Sequence, residues 1–488
     1  MNSIHPDINI ITLNCWGLKY LAKYRKERLN EIGCRIAIAD PVPQIVGLQE
    51  CWTHEDYQCI RVKTKHILPY GKFYHSGIFG GGLAILSRWP IIKSSMFRYP
   101  LNGRPTAFFR GDWFVGKGVA CASIQYGENN SDIIEIFNTH MHAPYEREPH
   151  DSYLCHRTAQ AWEIAKLFRG AAERGHLVIG LGDFNMVPKS LAHRLITQHS
   201  PVQDVWLSLY PESSIGSAED PLERARQRPI PSADHNIREN GTTCDSIMNT
   251  WRWNKDQQKL LGPNKPSFSI SADGIDPKAK RLDYIFVTSR LNTKPIHEGE
   301  LFLKSARVGM LVRHPKLQCS LSDHFSVEAT LAYSGCHESV DSKDDPDILN
   351  GVFLKLPDRT SFQSSGPSSP TTLLASNIYD EVLDLVHKYQ RREQWQRRFR
   401  LLHLVFSLIF SISCITVSLW ISERYIILIL MILSTLSLSA GVIDGLIGGL
   451  FIGSEIRALK EFEWEISNTR ALASGESHLM SEEGVKDL

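Results

Sequence analysis

The stretch Gly182-Asp183-Phe184-Asn185 follows the apolar run 177–181. A run of this length predicts a short buried strand, which here ends in the pattern Asp-x-Asn. Because side chains alternate along a strand, Asp183 and Asn185 should lie on the same side of it. Such a strand end can hold a phosphate beside a divalent cation, although an Asx turn that merely ends a strand has the same sequence.

Polar residues of matching chemistry end or flank other predicted strands along the first two thirds of the chain. They are Asn14, Glu50, His140, Asp283 and the adjacent pair Asp323-His324. The strands before the first two, at 8–13 and 45–49, flank an amphipathic helical pattern at 19–40. This alternation predicts a layered α/β domain over residues 1–335.

Two stretches of this domain are less regular. Residues 211–280 are rich in Pro, Ser, Asp, Asn and Arg, which predicts long loops. Residues 111–117 read GxxxxGK but lack the Ser or Thr that must follow in a nucleotide-binding loop. We therefore predict a glycine-bounded turn between strands at Phe108 and Val119, and no nucleotide site.

The polar residues are of the types that phosphodiester hydrolysis needs. Glu50 and Asn14 offer hard oxygen ligands outside any cluster of His and Cys, which favours Mg²⁺ over zinc. His140 and His324 have an ordinary pKa of about 6.5 and suit general acid–base catalysis. Asp323 would fix the tautomer of His324 if a turn brought the adjacent side chains together. The formal net charge of +1 does not favour a nucleic-acid partner.

The C-terminal part of the chain has a different character. We predict a linker at 336–385, a basic juxtamembrane helix at 386–400, transmembrane helices at 401–421 and 425–453, and a cytosolic tail at 454–488. Each apolar segment is long enough, at about 20 residues or more, to cross a bilayer as a helix. Their short connection predicts an antiparallel hairpin, and the basic residues before it place the catalytic domain in the cytosol.

Two features of the hairpin region suggest partners. The basic residues that should attract anionic lipid headgroups are Arg391, Arg392, Arg397, Arg398 and Arg400. Small residues recur at every fourth position of the second span, in the stripe Gly441, Gly445, Gly449 and Gly453. The stripe serves either packing within the hairpin or a homodimer, and Asp444 beside it is functional or interfacial.

Six motifs follow one another in the predicted α/β domain. They are Asn14, Gln49-Glu50, Asn138-Thr139-His140, Gly182-Asp183-Phe184-Asn185, Arg281-Leu282-Asp283-Tyr284 and Ser322-Asp323-His324. Their order resembles the magnesium-dependent endonuclease/exonuclease/phosphatase superfamily. Segments 138–145, 154–157 and 242–245 look like the neutral sphingomyelinases, above all the fungal inositol phosphosphingolipid phospholipases C. The resemblance implies a deoxyribonuclease-like four-layer α/β/β/α sandwich followed by a two-helix transmembrane hairpin.

The resemblance also implies magnesium-dependent hydrolysis of a phosphosphingolipid, either inositol phosphoryl ceramide or sphingomyelin, to ceramide and a phosphorylated headgroup. Glu50 would bind Mg²⁺, with Asn14 nearby on the metal or the phosphate. Asp183 and Asn185 would orient the phosphate, and Asp283 would support this arrangement.

The proton transfers and one loop contact follow from the same resemblance. His324, oriented by Asp323, would activate the attacking water, and His140 would protonate the ceramide oxygen as it leaves. The family carries a P-loop-like segment whose Asp and Lys match Asp112 and Lys117. Lys117 would therefore meet the substrate phosphate or pair with Asp112.

Other functions share parts of this pattern. A nuclease or a phosphoinositide phosphatase on the same fold would have the same site chemistry, and a non-catalytic membrane scaffold would have lost some of its ligands. The hairpin and the weak net charge argue against a nuclease, and the full set of ligand types argues against a scaffold. We expect an integral membrane protein of the endoplasmic reticulum or mitochondrial membrane, with anionic phospholipids as activators.

Overall fold

The computed structural model describes residues 7–128, 132–146, 150–266, 268–288, 301–333, 352–353 and 374–475. The chain forms two compact units. The first consists of Met1–Tyr99, Phe114–Tyr153 and Gln160–Thr372, and the second of Pro100–Trp113, Leu154–Ala159 and Leu373–Leu488. Most of the predicted linker 336–385 and the end of the predicted tail 454–488 lie outside the described residues.

The strands belong to the first unit. They are β1 (Ile8–Asn14), β2 (Ile45–Gln49), β3 (Tyr70–Tyr74), β4 (Leu83–Ser87), β5 (Ile91–Arg98), β6 (Gly118–Gln125), β7 (Ile133–His140), β8 (Leu177–Asp183), β9 (Gln203–Asp204), β10 (Asp283–Thr288), β11 (Leu301–Gly309), β12 (Ser326–Tyr333) and β13 (Val352–Phe353). They form one sheet in the order β13-β11-β12-β1-β2-β4-β3 and another in the order β5-β6-β7-β8-β10-β9.

Helices flank these sheets and make up most of the second unit. They are α1 (Arg25–Ala37), α2 (His54–Thr64), α3 (Asp112–Val115), α4 (Leu154–Glu173), α5 (Leu191–His199), α6 (Val205–Leu209), α7 (Pro221–Arg224), α8 (Ala233–Arg238), α9 (Lys255–Lys259), α10 (Ser376–Ser418), α11 (Arg424–Leu446) and α12 (Ile452–Ala473). Short 3₁₀ helices lie at Pro105–Arg110 and Thr250–Arg252, and a π turn at Ile447–Phe451 joins α11 to α12.

The two sheets of the first unit pack face to face across an apolar core that includes Ile179 of β8. On the outer side of the first sheet, Leu13 of β1 belongs to a second core together with Ile32 of α1. On the outer side of the other sheet, Phe168 of α4 lies so close to Gly180 that an added Cβ would meet its ring at 2.1 Å. Helix, sheet, sheet and helix therefore follow one another, which confirms the predicted four-layer sandwich.

Some local predictions differ from the structure. Phe108 lies in a 3₁₀ helix and not in a strand. Within 211–280 the chain forms several short helices, because side-chain caps such as Asn254 satisfy the free N–H groups at their starts. The helix α10 begins at Ser376, inside the predicted linker, since Tyr379 and Val382 of its first turns are buried. The predicted tail begins as the helix α12.

The second unit contains two helices that are long and apolar enough to cross a membrane, Ser376–Ser418 and the continuous helical segment Arg424–Ala473. A core helix of a soluble protein would bury its apolar side chains. In α10, Leu402, Phe406 and Ile409 are instead 68%, 63% and 59% exposed. This exposure supports the prediction that 401–421 faces lipid.

The first two glycines of the stripe, Gly441 and Gly445, pack closely against the first span of the same chain, whereas an added Cβ at Gly453 would meet nothing within 4 Å. An added Cβ at Gly441 would lie 2.5 Å from Ser407 Cβ, and one at Gly445 would lie 2.6 Å from Leu404 Cδ2. Packing within the hairpin therefore uses these two glycines, and they are not open to a second copy. Asp444 accepts a hydrogen bond from Arg400 and lies 2.8 Å from His403 Nδ1, so its charge is paired within the hairpin.

Candidate active site

Three neighbouring strands of the second sheet bring His140, Asp183 and Asp283 together. Strand β7 runs parallel to β8 and places His140 beside Asp183. Strand β10 runs antiparallel to β8 and places Asp283 on the other side. His140 Nε2 lies 3.5 Å from Asp183 Oδ2, and all three side chains are buried. Asp183 therefore lies at the centre of the site.

Asn14 connects the first sheet to this centre. Strand β1 ends at Asn14, and the parallel strand β2 ends just before Glu50. Asn14 Nδ2 donates to Asp183 Oδ2 at 3.0 Å and to Glu50 Oε1 at 3.1 Å. The chain turns away at Glu50, whose φ of 52° is a left-handed conformation that non-glycine residues adopt mainly at turns and functional sites. The first sheet thus contributes an amide and a carboxylate to the site.

His324 is held by Asp283 and not by Asp323. His324 Nδ1 lies 2.8 Å from Asp283 Oδ2, and its Nε2 lies 3.9 Å from Asp183 Oδ2. The prediction that Asp323 orients His324 is therefore wrong, because Asp283 occupies the position beside His324 Nδ1 that Asp323 would need. Burial raises the pKa of Glu50, and the negative charge of nearby Asp323 raises it further. Asp323 therefore acts on the site through its charge near Glu50.

Asn185 and Lys117 donate to the same backbone carbonyl. Asn185 Nδ2 and Lys117 Nζ lie 3.1 Å and 3.0 Å from Met141 O. The backbone N–H of Asn185 also donates to Asp183 Oδ1 at 3.0 Å. Asp112 begins α3 and belongs to the second unit, so its pairing with Lys117 stays a prediction.

Burial and neighbouring charges give the ionisable groups different protonation states. Burial raises the pKa of Asp183 to about 7, against the opposing effect of His324. Burial and nearby cationic groups lower the pKa of His140 well below its ordinary value. Burial alone would lower the pKa of His324, but Cys244, Asp283 and Asp183 outweigh it and raise that pKa well above its ordinary value. In the absence of a bound cation, these shifts favour the neutral form of His140 and the protonated form of His324.

The donor set fits a hard divalent cation. Among the described residues, Glu50 Oε2 and Asp283 Oδ1 are buried oxygens without a hydrogen-bond partner. Asp183, Asp283 and His324 also present ligand atoms within 4.8 Å of one another. Carboxylate and amide oxygens are the ligands that Mg²⁺ prefers, and the buried Glu50 beside the half-buried Asp323 favours a cation near them.

Two residues with no predicted role hold the site in place. Thr243 Oγ1 accepts a hydrogen bond from the backbone N–H of Asp283 at 3.4 Å. Ser322 Oγ donates to the backbone carbonyl of Asn14 at 2.6 Å. Both residues stand in motifs that carry the family resemblance, but sequence spacing alone does not indicate which backbone groups they meet.

A four-layer α/β sandwich with carboxylates, amides and two histidines at one end of its sheets defines the class of metal-assisted phosphoesterases. The sequence profile of the Endonuclease/Exonuclease/phosphatase family matches residues 11–324. The chain belongs to this family.

Three relatives show how far the similarity extends. Inositol phosphosphingolipids phospholipase C of Schizosaccharomyces pombe is 38% identical over 468 residues, which cover 96% of this chain and 95% of that protein. The protein of the same name from Saccharomyces cerevisiae is 32% identical over 489 residues, covering 95% of this chain and 90% of its own. Sphingomyelin phosphodiesterase 2 of Homo sapiens is 34% identical over 200 residues, covering 41% and 46%. The two fungal relatives therefore match the hairpin region as well as the α/β domain.

Proposed function

We propose that this protein hydrolyses phosphosphingolipids in a phospholipase C reaction that releases ceramide and a phosphorylated headgroup. The observation that carries the proposal is the buried array in which Asp183 lies near His140, His324 and Asn14. The substrate class follows from the two fungal relatives, which are named for this reaction and match nearly the whole chain. Inositol phosphoryl ceramide and sphingomyelin are the two candidate lipids.

His324 activates the attacking water. Its Nδ1 is bonded to Asp283, which leaves Nε2, on the side of Asp183, to accept the proton. The Asp283 carboxylate then stabilises the imidazolium that forms. The water attacks phosphorus in line with the ceramide oxygen, while Asp183 and Asn185 hold the phosphate.

His140 protonates the ceramide oxygen as it leaves. An alkoxide is too basic to depart unaided, so a general acid is needed on the leaving side. His140 lies beside Asp183 on β7, across β8 from Asp283, which separates it from the water-activating pair. Because burial lowers the pKa of His140, its protonated form depends on the negative charge of the bound phosphate.

Glu50 would hold the metal, with Asn14 beside it, and the negative charge of Asp323 that raises the pKa of Glu50 would also favour the cation. When bound, Mg²⁺ would polarise a phosphate oxygen and offset the surplus of negative charge, and this would lower the pKa of His324. Glu50 Oε2 supplies a buried oxygen that the described protein groups leave without a hydrogen bond.

Lys117 meets the substrate phosphate or pairs with Asp112 to position the loop between them. Lys117 is 5% exposed, and its ammonium group donates a hydrogen bond to Met141 O. Its positive charge opposes the effect of burial on the pKa of Asp183. A buried cation beside phosphate-binding carboxylates favours an anionic ligand.

The apolar hairpin anchors the protein in a membrane, and anionic phospholipids act on the second unit. Arg391, Arg397 and Arg398 are exposed on α10 just before the first span. Arg400 lines a cavity of about 440 Å³ together with Arg104 and Arg110. Arg400 is paired there with Asp444, and Arg104 and Arg110 add two further guanidinium groups, which suit a phosphorylated lipid headgroup. The membrane is that of the endoplasmic reticulum or mitochondria, with the α/β unit in the cytosol.

The proposal is tested with purified full-length protein in mixed micelles that contain either inositol phosphoryl ceramide or sphingomyelin. We expect Mg²⁺-dependent release of ceramide from at least one of them, and loss of that release in the Glu50→Gln variant. Duplex DNA and a phosphoinositide serve as competing substrates in parallel reactions. Hydrolysis of either of these, with no ceramide from both lipids, would replace the proposal with a nuclease or a phosphoinositide phosphatase.

A further inference from the structure

A buried arginine connects two segments of the active site without taking part in the chemistry described above. Arg28 lies on α1 and is fully buried. Its side chain donates four hydrogen bonds, and every acceptor is a backbone carbonyl. The acceptors are Lys23 O at 2.8 Å, Cys15 O at 3.2 Å, Trp16 O at 2.8 Å and Leu321 O at 2.7 Å.

Three of these carbonyls belong to residues next to the active site. Cys15 and Trp16 directly follow Asn14, the amide that joins the two sheets. Leu321 comes shortly before Asp323 and His324. A single nitrogen of Arg28, Nη1, donates to both segments, to Cys15 O and to Leu321 O. One planar group therefore ties the end of β1 to the segment at Leu321, which is 293 residues from Arg28 in the chain.

Aromatic rings fix the plane of the guanidinium. Its carbon lies 4.6 Å from the centre of the Trp16 ring and 5.7 Å from that of Trp251. Trp251 in turn donates from its indole N–H to Ser320 O at 2.9 Å. Trp16 has a φ of 47°, a left-handed conformation that a large side chain adopts only where its surroundings hold it.

We propose that Arg28 is a positioning residue, which sets the distance between the metal side of the site, Asn14 and Glu50, and the segment that carries Asp323 and His324. This inference rests on the proposed function for its kinetic consequence. We call Arg28 and its four carbonyl contacts the carbonyl clamp. Lysine cannot replace the clamp, because a single ammonium group does not reach carbonyls on both sides in one plane.

The clamp is tested with Arg28→Lys, Arg28→Gln and the control Ile36→Ala, in the full-length protein. Ile36 lies on the same helix and is fully buried, so its truncation loosens α1 without touching the carbonyls. We expect both Arg28 variants to lower kcat by about 10²-fold, with KM for the lipid almost unchanged. We also expect Mg²⁺ to bind about 10- to 100-fold more weakly in a calorimetric titration, since groups behind the ligands set metal affinity.

The control separates positioning from stability. Ile36→Ala should lower the melting temperature while its kcat and Mg²⁺ affinity stay at the wild-type level. Arg28→Lys keeps the charge and is the variant to use where Arg28→Gln does not fold. Wild-type kcat and Mg²⁺ affinity in Arg28→Lys, or matching losses of both in Ile36→Ala, overturns the clamp. Failure of the wild-type protein to release ceramide would instead refute the proposed function, and the Mg²⁺ titration would still decide the clamp.

Discussion

His324 Nδ1 and Asp283 Oδ2 lie 2.8 Å apart, although 41 residues separate them in the chain. The contact forms because β10 pairs with β8 in a register that puts Asp283 opposite Asp183, beside which His324 lies. The contact gives Asp283 the orienting role that the sequence analysis expected of Asp323.

Asp283→Asn removes the charge that orients and stabilises His324 but keeps the shape of the side chain. We expect kcat to fall on the order of 10²- to 10⁴-fold, the range in which general base catalysis contributes. Asp323→Asn should instead raise the Mg²⁺ concentration needed for half-maximal rate, because Asp323 acts near Glu50. Rates measured across Mg²⁺ concentrations distinguish the two variants. An exchange of these two effects would return the orienting role to Asp323.

His140→Ala should slow hydrolysis most for the substrates whose leaving group is the strongest base. With a natural phosphosphingolipid, the rate should fall by about 10²- to 10⁴-fold, since the ceramide oxygen needs a proton. With a p-nitrophenyl phosphodiester, whose leaving group is a weak base, the loss should be much smaller. The comparison is made at saturating Mg²⁺. Equal losses on both substrates would show that His140 only shapes the site.

Lys117→Ala should lower turnover on anionic vesicles by about tenfold or more, because a buried charge-assisted contact to phosphate is lost. The exposed lysine Lys65, the C-cap residue of α2, provides the matched control, as Lys65→Ala removes one positive charge at the surface. Asp112→Ala separates the two roles of Lys117. If Asp112→Ala lowers turnover as much as Lys117→Ala does, the pairing of Lys117 with Asp112 is supported. If Asp112→Ala has no effect, the contact of Lys117 with the substrate phosphate is supported. Unchanged turnover in Lys117→Ala would refute both roles.

Replacing the hairpin 401–453 with a flexible loop should abolish activity on vesicles and spare activity on a soluble headgroup analogue. A plain deletion from Leu401 onward would also remove α12, whose Glu455 accepts a hydrogen bond from Tyr389 at 2.9 Å. The loop replacement keeps that contact and changes only membrane attachment. Activities on vesicles and on the analogue are measured at equal protein concentration. Equal loss on both would mean that the hairpin supports the fold of the active site.

Glu393 should make the second unit less stable as the pH rises. Burial, and then the nearby Glu455, raise the pKa of Glu393 to about 8. A carboxyl group with a raised pKa binds more protons in the folded state, so the stability it contributes is complete below its ordinary pKa. That stability is lost as the pH rises through about 8, by at most about 1.4 kcal/mol per pH unit.

Glu393→Gln should flatten this dependence and stabilise the unit most at alkaline pH. Groups from different elements act on Glu393. They are Tyr389, Arg392 and Arg400 of α10, Glu455 of α12, and Arg104 in the segment Pro100–Trp113 of the second unit. Hydrogen exchange of the 376–400 amides, measured from pH 5 to pH 9 with correction for the intrinsic rate, reports the local stability. Glu461→Gln on the exposed side of α12 is the control. An unchanged slope in Glu393→Gln would exclude Glu393 as the titrating group.

The sequence by itself determined the elements whose signals are local. The strands that end at Asn14 and Asp183 follow from short apolar runs, and the hairpin follows from charge-free segments of membrane-spanning length. The identities of Glu50, His140 and His324 as site residues follow from polar chemistry at strand ends. The segment after Ser376 is helical although the sequence predicts a linker there, because its apolar pattern directly follows a stretch rich in Ser and Pro.

Only the tertiary structure decided which of these groups meet. Asp283, and not Asp323, bonds His324, because partner choice depends on the pairing of strands that are distant in the chain. Gly441 faces Ser407 of its own chain. The glycine spacing alone fits packing within the hairpin or between two copies, and only the packed helices show which partner Gly441 meets. Arg28 carries no sequence signal, because its acceptors are backbone carbonyls, and every residue supplies one.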